Sequence, residues 1–155
     1  MTKEAKYREL CSKVKGIVEG ESDIIANMAN TVSLIHEEFD FWWTGFYLVK
    51  GQELVLGPFQ GPVACTRIPF GKGVCGTAWK RGESVVVPDV ELFPGHIACS
   101  SLSRSEIVVP VFDGSEVCAV LDIDSKELSA FDQTDRLWLE RIVKHIFSDN
   151  EDNNL

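Results

Sequence analysis

Apolar positions recur with a helical period at both ends of the chain and alternate in pairs through its middle, and the changes of period mark out its elements. Tyr7, Leu10, Cys11, Val14, Ile17 and Val18 are spaced three and four apart among Lys and Glu, which predicts an amphipathic helix over residues 3–19, ended by Gly20. Ser22 stands at the N-cap of a second helix running to about Phe39, with Ile24, Ile25, Met28, Val32 and Ile35 facing inward. The pattern then turns aromatic and β-branched. Residues 42–50 and 53–59, parted by Gly51-Gln52, read as a hairpin, with a third strand over about 63–68.

Phe70-Gly71-Lys72-Gly73 interrupts the strands and leads into a short helix over about 74–80, closed by Gly82. A strand at 84–87 follows. Residues 88–105 show neither period and carry Pro and Ser, and a loop of that length in a compact domain is usually functional or disordered. Strands at 106–112 and 116–125 meet at Asp113-Gly114. Asp132 caps a last helix whose inner face is Leu137, Trp138, Ile142, Val143 and Ile146, ending near Phe147. Residues 148–155 are expected to form a mobile acidic tail. The sum is an α+β domain: a mostly antiparallel sheet of about six strands, an N-terminal helix pair and a closing helix, with the helices on one side.

Composition narrows the class. The 155 residues are 45% hydrophobic, enough for one sizeable core, so residues 1–155 are expected to be a single domain. A formal net charge of −9 leaves no basic stripe for nucleic acid. Residues 1–20 are charged and helix-patterned, which predicts neither a secretory signal nor a membrane span, and the expected place is the cytoplasm. In such a reducing compartment five cysteines suggest catalysis or metal binding over a disulfide framework.

The cysteines divide by surroundings. Cys11 and Cys118 fall in apolar runs and read as packing, while Cys65, Cys75 and Cys99 lie in polar, glycine-punctuated stretches and read as chemistry. Gly71-x-Gly73-x-x-Gly76 matches a dinucleotide fingerprint between a strand and a helix, but the helix is about two turns long and its neighbours read as antiparallel hairpins. A turn opening a helix is the simpler account. It places Cys75 in the first turn, where free N–H groups and the helix dipole favour a thiolate. A zinc site from Cys65, Cys75, His96 and Cys99 lacks the close cysteine pairs that structural zinc takes, and His96 reads instead as a loop residue bonded to backbone.

Asp122 and Asp124 are two apart on a strand and project to one face, opposite Leu121 and Ile123. Buried, they must meet a cation or share a proton; the alternative is a solvated sheet face. A plain two-residue Asp113-Gly114 turn would set Glu106 opposite Leu121, on the wrong face. A bulge near Pro110 would restore a common one. Trp43, Gly45 and Tyr47 also share a face, either as core or as the wall of a pocket for a small apolar group.

Trp43-Thr44-Gly45-Phe46-Tyr47, Cys65-Thr66-Arg67-Ile68, Gly71-Lys72-Gly73-Val74-Cys75-Gly76, His96-Ile97-Ala98-Cys99, Ser105-Glu106-Ile107-Val108-Val109-Pro110 and Val120-Leu121-Asp122-Ile123-Asp124-Ser125 together resemble the free methionine-(R)-sulfoxide reductases, which are built on a single GAF domain. The likeness runs over residues 42–147, and the helix pair of residues 1–40 fits it. It implies that Cys99 is the nucleophile, with Cys65 and Cys75 as the resolving pair. Glu106, Asp122 and Asp124 would hold and protonate free L-methionine (R)-sulfoxide, and Trp43 and Tyr47 would line its methyl-sulfur end. A thioredoxin-type dithiol would be the reductant, with no metal or organic cofactor. Ser100 departs from the family, which often has an acid after the nucleophile. Which of Cys65 and Cys75 resolves first, and whether the protein is a homodimer, stay open. A non-catalytic GAF module sensing a small ligand is the rival reading.

Overall fold

The computed structural model describes residues 1–97 and 102–152, with side chains through Phe147. Helices α1 (Lys3–Val18) and α2 (Ile24–Phe39) lead into strands β1 (Trp43–Lys50), β2 (Glu53–Gln60) and β3 (Arg67–Pro69). Helix α3 (Gly73–Arg81) precedes β4 (Val85–Val87), and a 3-10 turn at Val90–Leu92 is the one regular piece among the described residues of the long loop. Strands β5 (Ser105–Asp113) and β6 (Glu116–Ser125) and helix α4 (Gln133–Asp152) complete the chain.

All six strands form one antiparallel sheet in the order β3-β2-β1-β6-β5-β4. One face carries Phe46, Ile107, Val109, Leu121 and Ile123 and packs with α1, α2 and α4 into the larger apolar core. The other carries Tyr47, Val108 and Val120 and packs against Val74, Cys75 and Ala78 of α3. The fold is α+β as expected, but the helices are not all on one side: α3 covers the second face.

Several ends differ from the periodic reading. Asp23, not Ser22, caps α2, its Oδ1 accepting from Ala26 N at 2.9 Å. Ile17, Ile25 and Leu137 are exposed, because each sits at the margin of its helix's apolar stripe, while Leu139 is buried in place of Leu137. The strand expected over 63–68 shrinks to β3, and α4 continues past Phe147 to Asp152.

Asp132 does cap α4, its Oδ1 accepting from Thr134 N at 2.9 Å. Asp135, fully buried in that first turn, accepts from Asp132 N at 2.8 Å, Lys3 Nζ at 2.7 Å and Tyr7 Oη at 2.5 Å. This knot ties the start of α4 to α1.

Candidate active site

The β5–β6 hairpin sets the chemistry by its register. Asp113 pairs with Glu116 around a Gly114-Ser115 turn, and Val111 pairs with Ala119 while Phe112 pairs with Val117. Cys118 is therefore the extra residue of a bulge. The turn sits one residue later than the expected Asp113-Gly114, which by itself would set Glu106 opposite Ile123, and the bulge, one step from the expected Pro110, adds the last residue that brings Glu106 opposite Asp124. Strand β1 adds Trp43 opposite Asp124 and Gly45 opposite Asp122. A row of Trp43, Asp124, Glu106 and Val87 thus crosses the sheet on the α3 face.

Gly45 is what lets the aromatics lie flat there. A Cβ at that position would fall 2.5 Å from both Phe59 Cβ and Trp43 Cη2. The Trp43 ring stacks on Phe59 at 5.3 Å and on Tyr47 at 5.9 Å, and its Nε1 donates to Pro62 O at 3.0 Å. Tyr47 Oη donates to Cys65 O at 2.8 Å, which fixes Cys65 beside the same wall.

Trp43, Tyr47, Cys75, Glu106, Asp122 and Asp124 all line one cavity, together with Lys72, His96, Ile97 and Ser103. Of the residues expected at the site, the structure unites these first six and holds Cys65 at their edge. Cys99 lies outside the described residues. His96 was not expected in the pocket; it sits with Nε2 3.9 Å from Glu106 Oε1, and its position three before Cys99 was the available signal.

Burial and crowding govern the acids. Glu106 and Asp122 are each only 6% exposed. Burial, then repulsion from Asp122 and Asp124, pushes the Glu106 carboxyl well above its ordinary value, and Asp124 is raised well above its own by burial and by Asp122. Asp122 is raised by burial, an effect opposed by hydrogen bonding to Glu106 and Cys75. Its Oδ1 is buried and accepts from no protein donor. Burial lowers His96, so it faces Glu106 as a neutral imidazole and not as half of an ion pair.

Cys75 corrects the reading of its surroundings. It is 4% exposed, and burial followed by the charges of Asp122 and Glu106 drives its thiol well above the usual range. The helix N-terminus contributes about 0.3–1 kcal/mol, too little to offset several buried like-signed groups. Cys75 is a neutral thiol, whatever its place in the helix. Cys11, Cys75 and Cys118 are free thiols, whereas Cys65 is disulfide-bonded, which removes it from any zinc set. Cys118 and Cys11 are half-buried against the larger core, in keeping with packing roles.

The glycine fingerprint is explained by the turn. Gly71 and Gly73 have φ of +73° and +62°, and a Cβ on Gly76 would meet Pro69 O at 2.8 Å. Among the described residues no parallel strand pair is present for a dinucleotide crossover. Cys75 Sγ and carboxylate oxygens of Glu106 and Asp122 do lie within 4.8 Å of one another, a metal-sized trio. A cation there would have to displace the protons that burial retains. Among the described residues no helix is long and apolar enough to cross a membrane.

Comparison with known proteins agrees with this geometry. Residues 21–147 match the GAF domain model. The free methionine-R-sulfoxide reductase of Escherichia coli is 43% identical over 147 residues, covering 94% of this chain and 89% of that protein. That of Saccharomyces cerevisiae is 41% identical over 155 residues, covering 94% and 86%. The crystal structure of free methionine-R-sulfoxide reductase from Neisseria meningitidis in complex with its substrate superposes with a TM-score of 0.94 at 52% identity, over 99% of this chain and 93% of that one. By these matches the chain belongs to the free methionine-R-sulfoxide reductases, oxidoreductases acting on the sulfur of methionine sulfoxide and built on a GAF domain.

Proposed function

We propose that this chain reduces free L-methionine (R)-sulfoxide with Cys99 as nucleophile, Cys65 as the thiol that resolves it first, and Glu106 as the acid. The observation that carries the reading is the row of Trp43, Asp124 and Glu106 beside Asp122 and Cys75, at a wall to which Tyr47 fixes a disulfide-bonded Cys65. Attack of a thiolate on sulfoxide sulfur needs the oxygen protonated as the S–O bond breaks. A carboxyl raised above the ordinary carboxylate range supplies that proton, and burial with repulsion from Asp122 and Asp124 raises Glu106 well above its own. The thiol takes the oxygen as a sulfenic acid and methionine leaves. Condensation of that sulfenic acid with the Cys65 thiol forms a disulfide and releases water.

Asp122 and Asp124 receive the substrate ammonium, and Trp43 with Tyr47 receives the methyl group. Cys75, buried and neutral, stays free while Cys65 is oxidised, which suits a later exchange step better than the first. A thioredoxin-type dithiol would then reset the enzyme. Three free thiols beside one disulfide-bonded cysteine suit a reducing, cytoplasmic setting.

The test is turnover of racemic methionine sulfoxide with dithiothreitol. Wild type should consume half of it, and Cys99→Ser none. Absence of product from wild type would favour a ligand-sensing GAF module instead. Mass mapping of oxidised Cys75→Ser should still show a crosslink between positions 65 and 99; its loss would make Cys75 the first resolver.

A further inference from the structure

The proposed cycle leaves Glu106 one proton short. Having given its proton to the sulfoxide oxygen, it stands as a carboxylate beside Asp122 and Asp124, the state that burial and repulsion most oppose. It must be protonated again before the next substrate. The nucleophile has the opposite need, because reduction of its disulfide returns Cys99 as a thiol, which has to lose a proton to attack again. One carrier between the two would satisfy both.

His96 has the position for it. Its Nε2 lies 3.9 Å from Glu106 Oε1, and among the described residues it is the one histidine, lysine or arginine within ion-pair range of that carboxyl. The gap is longer than a hydrogen bond, and contacts of this kind in an unliganded site tighten when substrate binds or pass through one water. The His96 side chain is 17% exposed and that of Glu106 7%, so the imidazole opens the enclosed carboxyl toward the outside. The other groups facing the pair are Asp122 and Asp124 from β6 and Lys72 and Cys75 from α3. Asp122, Asp124 and Cys75 are raised by burial and release protons poorly. The imidazole is lowered, so once charged it passes its proton on to the raised carboxyl.

The loop around His96 is tied down. Val90 N donates to Arg104 O at 2.9 Å, Arg104 N to Ser125 O at 2.7 Å and His96 N to Phe93 O at 3.2 Å. Ile97 sits against Gly73, where a Cβ would come 3.2 Å from its Cγ1. These contacts hold the imidazole at the acids, and Cys99 follows it by three residues in the chain. We propose that His96 takes up the proton that the Cys99 thiol gives up and delivers it from Nε2 to the Glu106 carboxylate, so that one transfer rearms nucleophile and acid together. One thiol proton becomes one carboxyl proton, the imidazole ends neutral as it began, and nothing is oxidised or reduced. The proposal rests on the sulfoxide reduction proposed above and deepens it. His96 acts through Glu106 and is not itself the acid.

Reduced enzyme at rest has time to protonate Glu106 by any route, so loss of His96 should spare the first turnover and slow those that follow. Rapid-quench assays of methionine formed from free L-methionine (R)-sulfoxide under excess dithiothreitol compare wild type, His96→Gln and His96→Ala. Both variants should form the first equivalent at the wild-type rate, after which kcat should fall by about tenfold or more. Imidazole in the buffer should restore most of the steady rate of His96→Ala, where the missing ring leaves room, and leave wild type unchanged. Reduction of the oxidised variants by dithiothreitol, followed by thiol count, should keep the wild-type rate. A first turnover slowed as much as the later ones, an unchanged kcat, no response to imidazole, or reduction slowed in step with kcat would each overturn the proposal. Methionine formation by wild type in the same assay keeps that failure separate from failure of the reductase reading.

Discussion

Glu106 on β5 pairs directly with Asp124 on β6, so two carboxyls stand side by side on a face closed off by α3. Both are held well above their ordinary values by burial and by repulsion within the acid cluster. If Glu106 is the acid, kcat/KM falls on the alkaline side as its proton is lost. Glu106→Gln should cut kcat on the order of 10² to 10⁴-fold, the usual worth of a positioned acid. Asp124→Asn removes one repelling charge, so its alkaline limb should move to lower pH. A limb that stays in place would assign the proton to another group.

The same acids make stability depend on pH. A carboxyl whose folded value lies above its ordinary one binds more protons folded than unfolded. It stabilises fully below the unfolded value, and that contribution is lost as pH rises through the folded one. For Glu106 the loss starts near its ordinary value of 4.5 and extends to its raised one. Glu106→Gln and Asp124→Asn should therefore melt above wild type at neutral and alkaline pH, with the gap closing toward pH 4. Parallel melting curves at all pH values would mean the cluster is solvated.

Gly45 is a packing requirement with a functional consequence. Alanine there would bring a methyl group to 2.5 Å from Phe59 Cβ and the Trp43 ring. The ring must swing off its stack, at about 1–3 kcal/mol of overpacking. Gly45→Ala should raise KM for the sulfoxide and redshift Trp43 fluorescence in a background lacking the other Trp residues. An unchanged KM would remove Trp43 from the substrate wall.

Which residues share a face was legible in the sequence; which strand positions meet was not. Alternation placed Asp122 with Asp124 and Trp43 with Tyr47 because side chains in a strand have a fixed period. Glu106 depended on a bulge at Cys118, a cysteine without the Gly or Pro that usually marks such irregularities. The loop residue His96 and the cap residue Lys72 reached the cavity through tertiary packing alone. Cys75 shows the limit of local rules most clearly: its helix position argued for a thiolate, and burial together with acids on β5 and β6, distant in sequence, decided otherwise.

Alkylation separates the free thiols by that burial. Cys118, half-buried and pushed up to about 11, and half-buried Cys11 should react with iodoacetamide in the native protein before Cys75, which is both buried and raised well above its ordinary value. Mass spectrometry of tryptic peptides over a time course reads the order. Early labelling of Cys75 would contradict its neutral, enclosed state.

The knot at Asp135 predicts where the fold is vulnerable away from the site. Its buried carboxylate accepts from Tyr7 Oη, Lys3 Nζ and Asp132 N, and so joins α1 to the cap of α4. Tyr7→Phe removes one neutral donor and leaves the carboxylate two others, at about 1 kcal/mol. Asp135→Ala strands the Tyr7 hydroxyl in the core and frees Lys3, whose partial exposure softens the loss; the expected cost is about 3 kcal/mol. In a chain of this size that is roughly 6–12 °C in Tm. The double variant should melt at or above Asp135→Ala alone, since it removes the hydroxyl that the single variant strands. Simple addition of the two costs would show that Tyr7 and Asp135 stabilise the helix pair independently.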